Sequence, residues 1–293
     1  MKLNVKIIIF TFGGYFNFSV KCFLTEKGVY FAMVNVLLVG CLGRLGLEIS
    51  NYISELENYN VVAGVDIAKD GAQIFNNKYK IYKNIQDVDC GDVIADVVID
   101  FSNKSALSST LNYCEKTNTP LVLGTTGIGP EGKAEIIEIA KKVPIFWAYN
   151  MSVGVNVLIK LCALVMEQCG DIFEVDIIEK HHSKKLDAPS GTATMIADLI
   201  KLKSKELYNQ EKTIIYDRHC LNTTRGKNEI GINSIRAGNI VGEHSVMFTY
   251  GDEVLTLSHT SNSKKVFAQG AIKAANFIIN KKGGIYNFNN LGI

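Results

Sequence analysis

Val34-Asn-Val-Leu-Leu-Val-Gly-Cys-Leu-Gly-Arg-Leu-Gly46 is the stretch that decides the fold. Its apolar run, Val34 to Val39, reads as a buried strand. Glycines at every third position follow at once, and helical spacing then runs from about Leu45 to Leu56. A second strand, Tyr59 to Val65, ends at Asp66. Strand, glycine turn, helix, strand and acid in this order make the unit that binds dinucleotides. Gly40 permits the tight turn, Gly43 lets the backbone approach a pyrophosphate, and Gly46 lets the helix pack closely. The spacing G-x-x-G-x-x-G departs from the commoner G-x-G-x-x-G, so a βαβ unit that binds no nucleotide stays open at this point. Asp66 would accept hydrogen bonds from ribose hydroxyls and repel a 2′-phosphate, which favours NADH over NADPH. Arg44 and Lys69 are close enough in sequence to soften that preference.

Downstream, strand and helix signals keep alternating. Asp96 to Asp100 is a strand that ends at Phe101-Ser102, and Ala106 to Glu115 is a helix. Pro120 to Gly124 is a strand, with Thr125-Thr126-Gly127 at its end. A helix from about Glu131 to Lys142 leads to a strand from Pro144 to Ala148, which Tyr149-Asn-Met-Ser152 ends. Ligands of open α/β sheets sit at the carboxyl ends of the strands, so Gly124, Thr125 and Thr126 are placed on the nicotinamide side. The other reading is a plain Gly/Thr turn.

After Asn150 the pattern changes. Val155 to Gln168 is a long apolar helix, and Phe173 to Ile178 alternates as a strand does. Between that strand and a helix beginning near Ala193 lies Glu179-Lys-His-His-Ser-Lys-Lys-Leu-Asp-Ala-Pro-Ser-Gly-Thr-Ala193. His181 or His182 could move a proton near neutral pH. Ser190 or Thr192 could cap the helix, Gly191 would let an anion approach the first N–H groups, and Lys185 adds positive charge. A solvated basic loop has the same composition. Leu199 to Lys212 reads as a lysine-rich, solvated helix. Strand signals then cluster at Thr213–Tyr216, Ile230–Arg236, Gly242–Tyr250 and Glu253–Thr260, which implies an antiparallel or mixed sheet. A last helix runs from Ser263 to Asn280.

The expected fold class is α/β, with a Rossmann-type N-terminal nucleotide-binding domain and an α+β C-terminal domain with a mixed sheet. The boundaries expected are 33–151 plus 263–293 for the first domain and 152–262 for the second. At 293 residues and 47% hydrophobic, the chain can fill two cores. A net charge of +2 gives no footprint for nucleic acid. The seven cysteines are scattered and form no C-x-x-C pair, which points away from a zinc site or a disulfide framework and toward a reducing, cytoplasmic setting. No apolar run is long enough to cross a membrane. Residues 1–32 resemble a signal peptide superficially, but Gly13-Gly14 interrupts the apolar segment and no small-residue cleavage site follows. Met33 directly precedes the first Rossmann strand, so 1–32 is expected to be a dispensable extension with no strand or helix partner; a targeting segment is the alternative.

From Met33 onward the chain resembles the 4-hydroxy-tetrahydrodipicolinate reductase (dihydrodipicolinate reductase) family of the bacterial diaminopimelate/lysine pathway. The residues that carry this are the glycine turn 40–46, Asp100-Phe-Ser102, Gly124-Thr-Thr-Gly127, Asn150-Met-Ser-Val-Gly-Val-Asn156, the 179–193 loop, Arg236-Ala-Gly-Asn-Ile-Val-Gly-Glu-His244 and Gly284-Ile-Tyr286. The resemblance implies that His181 is the acid/base and Lys185 a second proton donor. It implies that His182, Ser190, Gly191 and Thr192 hold a carboxylate of a small dicarboxylate substrate. It implies that Gly40, Cys41, Leu42, Gly43, Arg44, Leu45, Asp66, Gly124, Thr125, Thr126, Ala148, Tyr149, Asn150 and Met151 contact NADH or NADPH, with no metal. It also implies a homotetramer built on the second sheet, and a C-terminal helix returning to the first domain. Met151 stands where Phe is common, Leu45 where Met is common, and Lys264 where an Arg is usual; the last change loses a bidentate fork. A homoserine-type dehydrogenase on the same fold would explain residues 34–150 but not the His181 loop. A non-catalytic nucleotide sensor would not need His181 and Lys185 intact.

Overall fold

The computed structural model describes residues 33–68, 79–88, 91, 93–169, 172–219 and 221–292, together with the backbone of 6–12, 18–25 and 28–31. Lys69 lies outside these. The chain divides into two compact units, Met1–Met151 with Phe267–Ile293, and Ser152–Val266.

Where no partner was expected, the extension forms three strands, β1 (Lys6–Phe12), β2 (Phe18–Thr25) and β3 (Gly28–Phe31). They pair antiparallel in the order β1-β2-β3. Short segments with intervening glycines satisfy their backbone groups by folding on themselves.

The rest of the first unit is a parallel sheet. Its strands are β4 (Val34–Val39), β5 (Tyr59–Val65), β6 (Lys80–Tyr82), β7 (Val97–Asp100), β8 (Leu121–Leu123), β9 (Pro144–Trp147) and β15 (Gly284–Tyr286), in the order β15-β9-β8-β7-β4-β5-β6. The order reverses between β4 and β7, and ligands bind at such a switch point. Strands buried on both faces read as continuous apolar runs, and Val36, Leu37 and Leu38 are accordingly fully buried. Helices α1 (Arg44–Ser54), α2 (Leu107–Thr117) and α3 (Pro130–Ala140) supply the crossovers. In α1, Gly46, Ile49, Ser50 and Ile53 face inward.

The last helix, α6 (Lys265–Ile278), buries a small-residue row of Ala268, Gly270, Ala271, Ala274 and Ala275. A Cβ at Gly270 would stand 1.7 Å from the Met151 carbonyl oxygen, so the helix is seated by backbone contact. The fully buried Phe146 meets Phe277 and Phe288 edge-on, at 6.2 and 5.2 Å between centroids. Burying such a ring is worth roughly 1.5–3 kcal/mol. β15 then extends the sheet beside β9.

The second unit has strands β10 (Glu174–His181), β11 (Thr213–Ile215), β12 (Glu229–Arg236), β13 (Gly242–Tyr250) and β14 (Glu253–Ser261), in the order β11-β12-β10-β13-β14. The sheet is mixed. β11, β12 and β10 run parallel because a helix crosses between β10 and β11, whereas β10, β13 and β14 pair antiparallel. Helices α4 (Val153–Cys169) and α5 (Gly191–Tyr208) contribute Leu158, Cys162, Ile196 and Ile200 to one core with Val175, Ile177, Ile232, Val246 and Phe248. The two helical readings near Ala193 and Leu199 are one helix, which ends at Asn209 in the left-handed region (φ 52°). Lys212, taken as solvated, lies beyond that cap and is buried at 4% exposure.

A Gly270→Ala change should be destabilising by about 1–3 kcal/mol or more, because the methyl group meets a backbone carbonyl that cannot turn away. Thermal unfolding checks this; a Tm within about 1 °C of the parent would mean the helix shifts without strain.

Candidate active site

Of the expected nucleotide residues, Gly40, Gly43 and Asp66 line a groove of about 370 Å3 at the switch point, and Gly124–Thr126 and Ala148–Met151 are not among its walls. Val39, Gly40, Gly43, Asp66, Ile67, Lys83, Phe101, Ser102 and Thr110 are among its walls. Gly40 has φ +77°, and a Cβ there would lie 2.8 Å from the Phe101 carbonyl oxygen, so the turn after β4 presses on the turn after β7. A Cβ at Gly46 would fall 2.0 Å from the Gly40 carbonyl oxygen, which is the close helix packing expected of it. Gly43 is the N-cap of α1 and no side chain caps that end. With no acidic side chain in its first turn either, the helix start suits a phosphate.

Asp66 is held at both oxygens. The Leu42 N–H donates to Oδ2 at 3.0 Å and the Ala68 N–H donates to Oδ1 at 3.0 Å. The acid therefore ties the glycine turn to the end of β5 while its remaining lone pairs face the groove. Cys41 is fully buried, its Sγ packs against Gly64, and burial first and then Asp66 push its thiol up to about 12, so it offers a ligand only its backbone. Leu42 and Leu45 are half-buried, and Arg44 is exposed.

Asp100 is fully buried at the end of β7. Its Oδ1 accepts from the Ser102 N–H (2.8 Å), the Ser102 hydroxyl (2.6 Å) and the Thr125 hydroxyl (3.1 Å). Burial raises its carboxyl above the usual range although these bonds oppose it. Thr125 is thus turned toward Asp100, while Thr126 is exposed. The Phe101 ring lies where a Cβ of Gly124 would be, 2.5 Å away, so only glycine fits there. Ala148 and Asn150 are half-buried, Tyr149 is exposed with its ring centroid 5.4 Å from that of Trp147 at a tilted angle, and Met151 is buried.

In the second unit, β10 places Val175, Ile177, Glu179 and His181 on its buried face. Glu179 is fully buried. Arg236, at the end of β12, donates to it as a fork: Nη1 to Oε2 at 2.9 Å and Nη2 to Oε1 at 2.7 Å. The Ser190 N–H donates to Oε1 at 3.2 Å, and His181 Nδ1 lies 2.5 Å from Oε2. Burial alone would raise the Glu179 carboxyl; the hydrogen bonds from Arg236, Ser234 and His181 hold it at about 2. Burial lowers His181, and Glu179 opposes that.

Ser190 caps α5 by accepting from the Ala193 N–H at 3.2 Å, and its hydroxyl meets His244 Nε2 at 2.9 Å. Of the groups expected at a substrate carboxylate, Ser190 is therefore occupied within the protein, whereas Gly191 has open space where a Cβ would stand. His182 is half-buried and its Nδ1 makes no hydrogen bond among the described residues. Lys185 pairs with Asp187 at 2.8 Å. Lys264 stands in the turn before α6. Sequence reading singled out neither Glu179, Arg236 nor His244 for a role, although all three lie in the quoted motifs; the buried-face alternation of β10 was the signal for Glu179.

Residues 34–151 match the family described as "Dihydrodipicolinate reductase, N-terminus", and 154–291 the one described as "Dihydrodipicolinate reductase, C-terminus". The 4-hydroxy-tetrahydrodipicolinate reductase of Clostridium novyi (strain NT) is 41% identical over 261 residues, 88% of this chain and 98% of that protein. That of Caldanaerobacter subterraneus subsp. tengcongensis is 39% identical over 262 residues, with 88% and 98% covered. A dipicolinate-bound dihydrodipicolinate reductase from Paenisporosarcina sp. TG-14 superposes with a TM-score of 0.72 at 26% identity, covering 88% of this chain and 99% of that one.

The site makes the protein acid-labile in a defined window. His244 is 4% exposed, and burial first, then the neighbouring His181, push it from 6.5 to about 4. Between those values the unfolded chain binds a proton that the folded chain refuses, so stability falls as pH drops from 6.5 to 4, by on the order of 3 kcal/mol. Glu179, ionised in the fold down to about 2 against 4.5 when unfolded, continues the loss below pH 4.5. Urea unfolding at stepped pH should show the first loss in the parent and little of it in His244→Asn.

Proposed function

The chain belongs to the dihydrodipicolinate reductase family, and on that basis we propose that it reduces 4-hydroxy-tetrahydrodipicolinate to tetrahydrodipicolinate with NADH or NADPH, in diaminopimelate and lysine biosynthesis. The observation that carries this is the 41% identity that spans 98% of a reductase of that name. The intact 179–193 loop supports it, since a homoserine-type dehydrogenase would have no use for that loop.

The reaction adds one hydride and one proton and releases the 4-hydroxyl as water. When bound, NADH or NADPH supplies the hydride. The glycine turn Gly40–Gly43, drawn in tightly against neighbouring backbone, the open N-terminus of α1 and Asp66 fit a pyrophosphate and a ribose. Gly124, Thr125, Thr126 and the 148–151 turn hold the nicotinamide end. His181 passes the proton, and Lys185 is the second donor. His182 and the N–H groups at Gly191 and Thr192 receive the substrate carboxylates at the start of α5, where the helix dipole favours negative charge. The assembly is a homotetramer: β14 is an edge strand of the second sheet and exposes Val254 (56%) and Leu255 (40%), as a contact surface does. Among the described residues no helix is long and apolar enough to cross a membrane. The setting is cytoplasmic and no nucleic acid takes part, in keeping with the net charge of +2.

NADH oxidation, with substrate formed in situ from pyruvate and aspartate semialdehyde, tests the activity. In that assay His181→Gln or Lys185→Ala should lower turnover by roughly 10²–10⁴-fold while cofactor affinity is kept. Near-parental turnover in both variants would show that the chemistry lies elsewhere.

With NADH and NADPH compared in parallel, kcat/KM should be at least as high for NADH, because a carboxylate at Asp66 in the groove wall would repel a 2′-phosphate and its neighbour Ile67 offers no cation. A strong preference for NADPH would assign the 2′-phosphate to Lys83, which lines the same groove, or to Arg44 or Lys69.

A further inference from the structure

Resting on the reading of His181 as the residue that passes the proton, we propose that Glu179 is its positioning residue: clamped by Arg236, the carboxylate fixes the imidazole with Nδ1–H toward itself and leaves Nε2 as the one nitrogen that exchanges a proton with substrate.

The placement begins with strand periodicity. Glu179 and His181 are two residues apart on β10 and so share the face that buries Val175 and Ile177. A carboxylate on a core-facing row is strongly unfavourable unless it is paired and hydrogen-bonded. Two Arg236 nitrogens and the Ser190 N–H donate to it, and His181 Nδ1 lies 2.5 Å from Oε2, where an ionised carboxylate has only acceptor capacity to offer. In register, Arg236 lies opposite His181 across the parallel pair of β10 and β12, so its guanidinium reaches back to Glu179. The same guanidinium donates to the carbonyls of Ile235 (2.9 Å) and Asp187 (2.6 Å), which ties the loop bearing Lys185 to the clamp.

Two consequences follow for the imidazole. A carboxylate in a guanidinium fork does not take the imidazole proton near neutral pH, so it only accepts, and Nδ1 keeps its hydrogen in both charge states of His181. The proton that comes and goes is then the one on Nε2. That nitrogen faces Gly242, where a Cβ would stand 3.2 Å from it, so a side chain at this position would crowd the exchanging atom. The second consequence concerns charge. The groups around His181 are Glu179 on its own strand, Arg236 on β12, His244 on β13 with rings 5.2 Å apart, and Lys185 and Asp187 on the loop. Burial, Lys185 and Arg236 all disfavour the imidazolium, and Glu179 is the group that favours it. Without the carboxylate, His181 would lose both its orientation and its hold on a proton.

The test uses the full chain with NADH and substrate. Glu179→Gln should lower kcat by about 10²-fold with KM for NADH little changed. It should also move the alkaline fall of the pH profile down by about one unit, because the carboxylate that favours the imidazolium is gone. A residue of purely structural importance would lower activity without moving that limb. Glu179→Asp, which keeps the charge, should restore much of the rate and the parental profile. Nitrogen NMR of the histidine-labelled parent, with His181 assigned by the signal lost in His181→Gln, should show the neutral ring protonated on Nδ1. That measurement needs no Glu179 variant, so it decides the matter even if Glu179→Gln does not fold. An Nε2-protonated neutral ring in the parent, or a Glu179→Gln enzyme with unchanged rate and profile beside an inactive His181→Gln, would overturn the proposal and leave the reductase reading intact. Near-parental turnover in His181→Gln would instead overturn the reading on which the proposal rests.

Discussion

The fork between Arg236 and Glu179 is the contact on which the second unit's chemistry depends. It joins two parallel strands at their carboxyl ends, in the interior, through a charge pair. Such a pair is favourable only when its geometry is good and its remaining hydrogen-bonding capacity is used. Both conditions hold, since one oxygen of Glu179 also receives the Ser190 N–H and the other faces His181. The start of α5, the end of β10, the end of β12 and the loop carrying Lys185 are therefore held by one hub. Removing Arg236 would leave the buried Glu179 carboxylate without its charge partner, which is far more damaging than losing a surface ion pair.

The first unit solves a different problem with backbone alone. Its turns after β4 and β7 approach so closely that only glycine fits at position 40, and the same holds at position 124 against the Phe101 ring. Asp66 then does two things at once. It fastens the glycine turn through the Leu42 N–H and presents a carboxylate to the groove. A rigid, uncapped helix start beside a fixed acid needs little rearrangement to receive a phosphate and a sugar, so binding is not taxed by ordering the loop first.

The Rossmann half was legible because its signals are local: the apolar run at 34–39, the spaced glycines and the acid after Val65 all act within one βαβ unit. The four pairings of the second sheet were anticipated only as far as antiparallel or mixed, because direction depends on what crosses between β10 and β12, not on either strand's own pattern. β6 and β15 have three residues each, too short for a period to show. The three strands of the extension satisfy each other and carry no periodic contrast that separates them from an apolar leader. In the site, His181 and Lys185 could be picked out by residue type. Glu179 and Arg236 could not be paired, since 57 positions separate them and only the sheet brings them together. Ser190 reads as a candidate cap from its place before a helix, and its hydroxyl is that cap; its role at substrate came only from the resemblance, and its N–H bonds Glu179.

The return of the chain after Val266 gives its manufacture a particular order. The nucleotide-binding unit is begun first, yet its sheet is finished by β15 and its Met151 turn is seated by Gly270, both supplied from the far end of the chain. On a ribosome, the second unit's strands are all extruded while the first still lacks a helix and an edge strand. During that interval β9 is an unpaired parallel edge with Ile145 and Phe146 at its margin, the kind of surface that invites wrong pairing. A chain cut short by a few dozen residues would thus be spoiled in the unit that was begun first.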